Sequence, residues 1–178
     1  MKMPPKVMTI VGTRPEIIRL SSLIFELDKV TRHIFVHTGQ NFDKNLNDVF
    51  FRDLGLRDPD YRLDVDTSSL GSVMGDVIRK IEAVLLAEKP DAVMILGDTN
   101  SALSAIVAER LHIPVYHMEA GNRSFDSNVP EELNRKLVDH VSTFNLAYNS
   151  HSHRNLLREG IHPRFVFVTG SPLPEVIS

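Results

Sequence analysis

The sequence of 178 residues contains no cysteine. This absence excludes disulfides, thiolate catalysis and sulfur-ligated metal sites, and it fits a reducing cytoplasm, where we expect the protein to reside. A basic surplus is also lacking, because the formal net charge is −3. We therefore expect neither nucleic acid nor an anionic membrane surface as a partner.

Long hydrophobic runs are missing as well. The first apolar run, residues 7–11, is interrupted by Gly12, which argues against a secretion signal. No run approaches the length of a membrane span. With 42% hydrophobic and 24% charged residues, the composition is typical of a globular protein, and the length suits one well-filled core.

Short apolar runs alternate with helical patterns along the chain. Runs without alternating polarity, typical of strands covered on both faces, lie at 7–11, 33–37, 92–96, 115–118, 144–147 and 165–168, with a weaker one at 61–65. Three- and four-residue apolar spacing predicts helices at 15–29, 70–88, 101–111 and 131–141. This alternation predicts an α/β fold with a doubly wound, mainly parallel sheet.

Loops at the carboxyl ends of such strands form the ligand crevice, above all where the strand order reverses. If the first and fourth strands are neighbours, residues 12–16 face residues 97–100 across it. The first of these loops offers a helix start with free amides beside Arg14, which suits a diphosphate or another anion. It does not match the dinucleotide fingerprint, so no nicotinamide cofactor is expected. An ordinary helix cap with a solvated Arg14 is the alternative.

A second strand loop also reaches this edge. Gly39, Gln40 and Asn41 follow the run 33–37, and the carboxyl ends of parallel strands share one edge of the sheet. We therefore expect Gln40 to line the same crevice.

Three carboxylates are predicted at that edge. Asp98 follows a buried strand, Glu119 ends another, and Glu131 begins a helix with Arg135 one turn beyond it. Asp98 alone has an ordinary explanation as a helix cap, and Glu131 as a helix-stabilising charge. Glu119 is harder to explain in this way, because a glutamate at a strand end neither caps nor packs well. Together, crowded carboxylates acquire different pKa values, so that one acts as an acid and another as a base. This suits proton transfer on a sugar.

Metal ligation is the rival use of these acids. Clustered carboxylates bind Mg²⁺ or Mn²⁺, but none of these three acids belongs to a compact pair of the DxD kind. His151 and His153 lie two residues apart, so on a helix they diverge. We therefore expect no metal site.

Four short motifs then stand in a familiar order: GTRPE at 12–16, GDT at 97–99, EAG at 119–121 and PEELNR at 130–135. Along essentially its whole length the chain is similar to the non-hydrolysing UDP-N-acetylglucosamine 2-epimerases. The resemblance implies a Rossmann-like amino-terminal domain over 1–170, one half of a B-type glycosyltransferase-like fold. It implies that 171–178 begin the connection to a second domain that this chain lacks, and that the full-length protein is a homodimer.

The resemblance also implies a chemistry and a set of residues. The family removes the C2 proton of UDP-GlcNAc, expels UDP to leave a 2-acetamidoglucal, and adds UDP back to form UDP-ManNAc, without a redox cofactor or a metal. The acid/base residues implied are Asp98, Glu119 and Glu131. The substrate-binding residues implied are Arg14, Arg19, Arg135, Gln40 and Asn122. Without the second domain, the isolated chain is expected to be inactive.

Two departures bear on the substrate. Arg19 stands where better-known members have lysine, and the loop 122–126 differs from their glycine-bearing loop. The segment EAGNRSFD, followed by VPEE, resembles the corresponding segment of a family branch that acts on modified UDP-HexNAc sugars for surface polysaccharides. A B-type glycosyltransferase-like domain and a non-catalytic binding or assembly module remain the alternatives.

Overall fold

The computed structural model describes residues 3–40 and 51–177. Seven strands form one sheet in the order β3-β2-β1-β4-β5-β6-β7, and every pairing is parallel. The strands are β1 Lys6–Val11, β2 Arg32–His37, β3 Tyr61–Arg62, β4 Ala92–Leu96, β5 Val115–Met118, β6 Phe144–Ala147 and β7 Val166–Val168. The predicted α/β fold with a parallel sheet is confirmed.

Helices lie between the strands and after β7: α1 Arg14–Val30, α2 Leu70–Glu88, α3 Ser104–Arg110, α4 Pro130–Val141, α5 Ser150–Arg158 and α6 Leu173–Ile177. Two predicted elements differ in detail. The helix expected over 101–111 starts as a 3-10 turn, Asn100–Leu103. The strand expected over 61–65 is shorter, because Asp64 adopts a left-handed φ of 45° just beyond β3. Within the described residues, no helix is both long and apolar enough to cross a membrane.

Both faces of the sheet are covered. One face packs against α2, α3 and α4 through a cluster that contains Met8, Ile10 and Ile95. The other packs against α1 through a cluster that contains Val11 and Leu96. Burying one such side chain contributes roughly 1.5–3 kcal/mol. Double-sided burial explains why these strands are apolar at nearly every position.

The strand order reverses between β1 and β4. After β1 the chain adds β2 and β3 on one side and then returns to place β4 on the other, with Ile10 beside Ile95. The first and fourth strands are therefore neighbours in the sheet, as the common strand order predicts. A crevice opens at the carboxyl ends of such a pair, and this is where open α/β sheets bind ligands.

Candidate active site

The loops after β1, β4 and β5 leave the same edge of the sheet, because these strands are parallel neighbours. They carry Arg14, Asp98 and Glu119 in turn. Arg14 is the first residue of α1 and is half-buried. Three residues that are distant in sequence thus lie at one edge of the sheet.

Glu16 ties the β1 loop to the β4 loop. Its side chain is buried, with 3% exposure. One carboxylate oxygen accepts hydrogen bonds from the hydroxyls of Thr99 at 2.6 Å and Ser101 at 2.7 Å. The other accepts from the backbone amides of Gly12 at 2.5 Å and Thr13 at 2.8 Å. Burial raises the pKa of Glu16, and these four hydrogen bonds lower it only in part.

Asp98 is held by a residue of α4. Arg135 donates from Nε to the Asp98 carboxylate at 2.6 Å, and the side-chain amide of Asn134 donates to the Asp98 carbonyl at 2.9 Å. The carboxylate does not cap the following turn, whose N-cap is Thr99. Both charged side chains keep some exposure, 23% for Arg135 and 19% for Asp98, so a ligand in the crevice can reach them.

Glu119 has an unusual backbone conformation. Its φ of 64° lies in the left-handed region, which costs a non-glycine residue roughly 1–2 kcal/mol and often marks a functional site. Arg19 from α1 forms an ion pair with one carboxylate oxygen, and Asn122 donates to the other at 3.1 Å. Asp98 and Glu119 are therefore each paired with an arginine rather than with another carboxylate.

The two acids that begin α4 have opposite environments. The Glu131 side chain is exposed and makes no hydrogen bond or ion pair with the other residues among 3–40 and 51–177. Glu132 is 2% exposed and accepts from the amides of Ser124 at 2.9 Å and Phe125 at 3.3 Å. Burial opposes ionisation, but the bonds from Ser124, Phe125 and Arg135 outweigh it and lower the pKa of Glu132 to about 2. The structure therefore places Glu132, and not Glu131, in contact with the loop after β5.

The remaining predicted site residues lie at the same edge of the sheet. The Gln40 side chain donates to the Thr38 hydroxyl at 3.0 Å, close to Gly12 of the β1 loop. Asn122 contacts Glu119 and also accepts from the Ser152 hydroxyl at 2.8 Å. Asn41 lies outside the described residues.

An open cavity of about 520 Å³ lies next to these groups. It is within the size range of small-molecule sites. Two of its walls are Arg135, which holds Asp98, and Asn122, which contacts Glu119. The others are Arg123, Ser124, Phe125, Asn149, His151, Ser152 and Asn155. The cavity is thus bounded by side chains that fix both candidate acid/base groups.

Sequence reasoning missed Glu16 and Glu132 as parts of this site. The sequence does contain a pattern that indicates the role of Glu16, because Thr13 and Glu16 match the spacing of a capping box. No sequence pattern distinguishes Glu132, since acidic residues are common in the first turn of a helix. Within the described residues, no group of three or more His, Asp or Glu side chains is arranged to hold a metal ion.

Comparison with known proteins identifies the family of this chain. A family model described as UDP-N-acetylglucosamine 2-epimerase matches residues 25–178. The UDP-N-acetylglucosamine 2-epimerase structure from Rickettsia bellii superposes with a TM-score of 0.93 at 55% identity, covering 98% of this chain and 47% of that one. This chain belongs to the UDP-N-acetylglucosamine 2-epimerase family.

Two further epimerases show the range of substrates. The Methanocaldococcus jannaschii UDP-GlcNAc 2-epimerase, solved in complex with UDP-GlcNAc and UDP, superposes with a TM-score of 0.89 at 45% identity, over 93% of this chain and 46% of that one. The UDP-2,3-diacetamido-2,3-dideoxy-D-glucuronate 2-epimerase of Pseudomonas aeruginosa is 43% identical over 159 residues, which cover 87% of this chain and 45% of the relative. The epimerase family thus includes enzymes named for a plain and for a modified UDP-sugar.

The chain matches the amino-terminal half of the epimerase fold and spans about half the length of the curated relatives it matches, 46% in the case of the M. jannaschii enzyme. A lipopolysaccharide outer core galactosyltransferase superposes with a TM-score of 0.63 at 14% identity. That likeness concerns the fold alone, which is one half of a B-type glycosyltransferase-like architecture. The epimerase family predicted from the four motifs is confirmed.

Proposed function

We propose that this chain supplies the carboxylate-bearing half of a UDP-HexNAc 2-epimerase. One observation carries the proposal. Asp98 and Glu119, from loops after two neighbouring strands, are each held by an arginine. Arg135, which holds Asp98, and Asn122, which contacts Glu119, line one cavity. The epimerisation removes a proton from one face of the sugar and returns a proton to the opposite face. Such a reaction requires two positioned carboxylates that the substrate can reach, and both of these remain partly exposed.

In the proposed reaction a carboxylate takes the C2 proton of the sugar. The C2–H electron pair forms a C1–C2 double bond, and the C1–O bond breaks so that UDP leaves with its electron pair. UDP then adds back to C1, and C2 receives a proton on the opposite face. Asp98, Glu119 and Glu131 are proposed as the proton-carrying groups. Arg14, Arg19 and Arg135 are proposed to hold the sugar nucleotide, with Gln40 and Asn122 as further contacts.

The substrate class is a UDP-linked 2-acetamido sugar. Relatives named for UDP-GlcNAc and for a diacetamido uronate have similar identity to this chain, so both substrates belong in the test. A homodimer and cytoplasmic residence, expected from the sequence, stay predictions. The same holds for the domain limits of 1–170 and for a second domain after 171–178.

The test uses a two-domain protein, made by fusing this chain to the carboxyl-terminal half of the M. jannaschii relative. Incubation with each UDP-sugar in D₂O is expected to place deuterium at C2 and to form the C2 epimer, both seen by NMR. Asp98→Asn and Glu119→Gln are expected to slow exchange on the order of 100-fold or more, as expected for general acid/base groups.

Glu82→Gln is the matched control, because Glu82 is an exposed acid on α2, away from the crevice. Its exchange rate is expected to equal that of the parent fusion. Near-normal exchange in both Asp98→Asn and Glu119→Gln would refute the assignment. Sugar transfer or hydrolysis without deuterium at C2 would point to a glycosyltransferase-like reaction instead.

A further inference from the structure

His117 lies in β5, two residues before Glu119, and is only 1% exposed. Its ring contacts two separate parts of the fold. Nε2 lies 2.8 Å from the carbonyl oxygen of Gly97. Nδ1 lies 2.8 Å from a carboxylate oxygen of Asp139 on α4, an ion contact whose angle departs from that of an ideal hydrogen bond. One buried imidazole therefore connects the β4 loop to α4.

Asp139 extends this connection to the loop after β5. Its second carboxylate oxygen accepts from the Gly121 amide at 3.0 Å and from Arg123 at 2.8 Å. The Arg123 side chain is fully buried and also forks onto Glu159, at 2.8 and 2.6 Å. Asp139 is itself held through its backbone carbonyl, which accepts from Asn145 at 2.9 Å.

The loops joined in this way are those of the two candidate acid/base residues. Gly97 directly precedes Asp98, and Gly121 is two residues after Glu119. Charged hydrogen bonds are strong where water is excluded, and removing one partner leaves the other uncompensated. The contacts of His117 and Asp139 therefore restrict how far the two loops can move apart.

We propose that His117 and Asp139 are positioning residues, which hold Asp98 and Glu119 at the separation that proton removal and proton return require. The inference rests on the proposed function. Both side chains are buried beneath the loops, so they act through the loops and not on the sugar. A displacement of about 1 Å in such a site can slow a reaction on the order of 100-fold.

The geometry also dictates a charge on the ring. Both ring nitrogens face oxygen acceptors, and a neutral imidazole has only one N–H to donate, so only the imidazolium satisfies both. Burial lowers the pKa of His117, but the Asp139 carboxylate and the Gly97 carbonyl outweigh burial and raise it. Burial raises the pKa of Asp139, and His117 and Arg123 more than offset that effect. Glu159 and Asn145 are the other groups of this cluster.

Nitrogen-15 NMR of this chain at about pH 7 tests the charge, since histidine otherwise titrates near 6.5. We expect His117 to show two protonated ring nitrogens, assigned by the loss of its signals in His117→Asn. His112→Asn is the control, because His112 is exposed and its left-handed φ of 59° suits asparagine. A neutral His117 ring with one N–H in the parent chain would overturn the proposal.

Kinetics of the two-domain fusion test the positioning role. His117→Gln keeps a donor near the Nε2 position and loses the contact with Asp139. His117→Asn keeps a donor near the Nδ1 position and loses the contact with Gly97. Each is expected to lower kcat roughly 10- to 100-fold while KM changes less than about 3-fold. Val84→Ala, a destabilising change in the α2 core, is expected to leave kcat unchanged when all variants are assayed below their melting temperatures.

The outcomes separate this proposal from the proposed function. Parent-like kcat in both His117 variants, in a fusion that exchanges C2 deuterium, would overturn the positioning role and leave the epimerase proposal intact. A fusion that never exchanges deuterium with any UDP-sugar would overturn the epimerase proposal, and with it the catalytic purpose assigned to His117. Reduced kcat together with a doubly protonated ring supports both.

Discussion

Arg135 donates from Nε to the Asp98 carboxylate at 2.6 Å, although 37 residues separate the two along the chain. Its Nη1 also lies 3.4 Å from Glu132. One guanidinium, which lines the cavity, thus joins the candidate acid/base carboxylate of Asp98 to the buried carboxylate of Glu132. Because Glu132 holds the amides of Ser124 and Phe125, the position of Asp98 is linked to that of the loop after β5.

Arg135→Lys tests this linkage. A lysine ammonium is a point charge and cannot reproduce the planar fork, so the variant retains charge but loses one of the two contacts. We expect kcat/KM of the two-domain fusion to fall at least about 10-fold, a loss of roughly 1.4 kcal/mol in transition-state stabilisation. The Arg79 side chain is 71% exposed, so Arg79→Lys is expected to leave kcat/KM unchanged. Equal rates for the two variants would contradict the role of the fork.

Glu132 is expected to make stability depend on pH. Its pKa is lowered from 4.5 to about 2 in the folded protein, so its contribution is fully present above the unfolded value and is lost as pH falls toward about 2. Glu132→Gln should therefore lower the free energy of unfolding by up to about 3 kcal/mol at neutral pH. The difference from the parent should shrink as the pH is lowered. Urea unfolding at a series of pH values measures it.

Glu131→Gln provides the control for that series. Glu131 is the preceding residue and is exposed, so the free energy of unfolding should change by less than about 0.5 kcal/mol at every pH. If the two glutamine variants had the same pH profile, the buried hydrogen bonds of Glu132 would not be the cause.

Gly121→Ala is expected to be severely destabilising. Gly121 has a φ of 81°, and a Cβ there would lie 2.2 Å from the backbone carbonyl oxygen of Ser152 on α5. Backbone cannot move aside as a flexible side chain can, so we expect a loss of more than about 3 kcal/mol or failure to fold. Gly75→Ala, with open space around its Cβ position in α2, should instead stabilise by roughly 0.5–1 kcal/mol. Thermal unfolding of both variants would show opposite shifts; a mild effect at Gly121 would contradict the packing of α5 on the loop.

Tyr148→Phe is expected to leave stability unchanged or raise it. The Tyr148 hydroxyl is buried and has no hydrogen-bond partner among residues 3–40 and 51–177, and burial, together with the Glu119 carboxylate, raises its pKa. Because this buried hydroxyl lacks a partner among those residues, its removal breaks no hydrogen bond. Tyr61→Phe removes a hydroxyl that donates to Glu88 at 2.5 Å and should cost about 1 kcal/mol. Calorimetry that found a larger loss for Tyr148→Phe than for Tyr61→Phe would contradict this description.

The strand segments were predictable because burial on both faces of a parallel sheet requires continuous apolar runs, as in 7–11 and 92–96. The shortening of the strand after residue 60 was not predictable, because the left-handed conformation of Asp64 has no marker in the residue type. The site loops were predictable in position, since carboxyl ends of parallel strands share one edge. Their partners were not, because Arg19 and Arg135 lie on helices whose rotation about their axes is set by packing.

The sequence by itself determined the alternation of strands and helices, the parallel sheet and the family, since each follows from local periodicity or from short motifs in a set order. Only the tertiary structure decided that Glu132 is buried while its neighbour Glu131 is exposed, and that His117 bridges Gly97 and Asp139 beneath the loops. The physical reason is that burial and partnership of a charge depend on which distant segment packs against it. Local patterns carry no record of that packing.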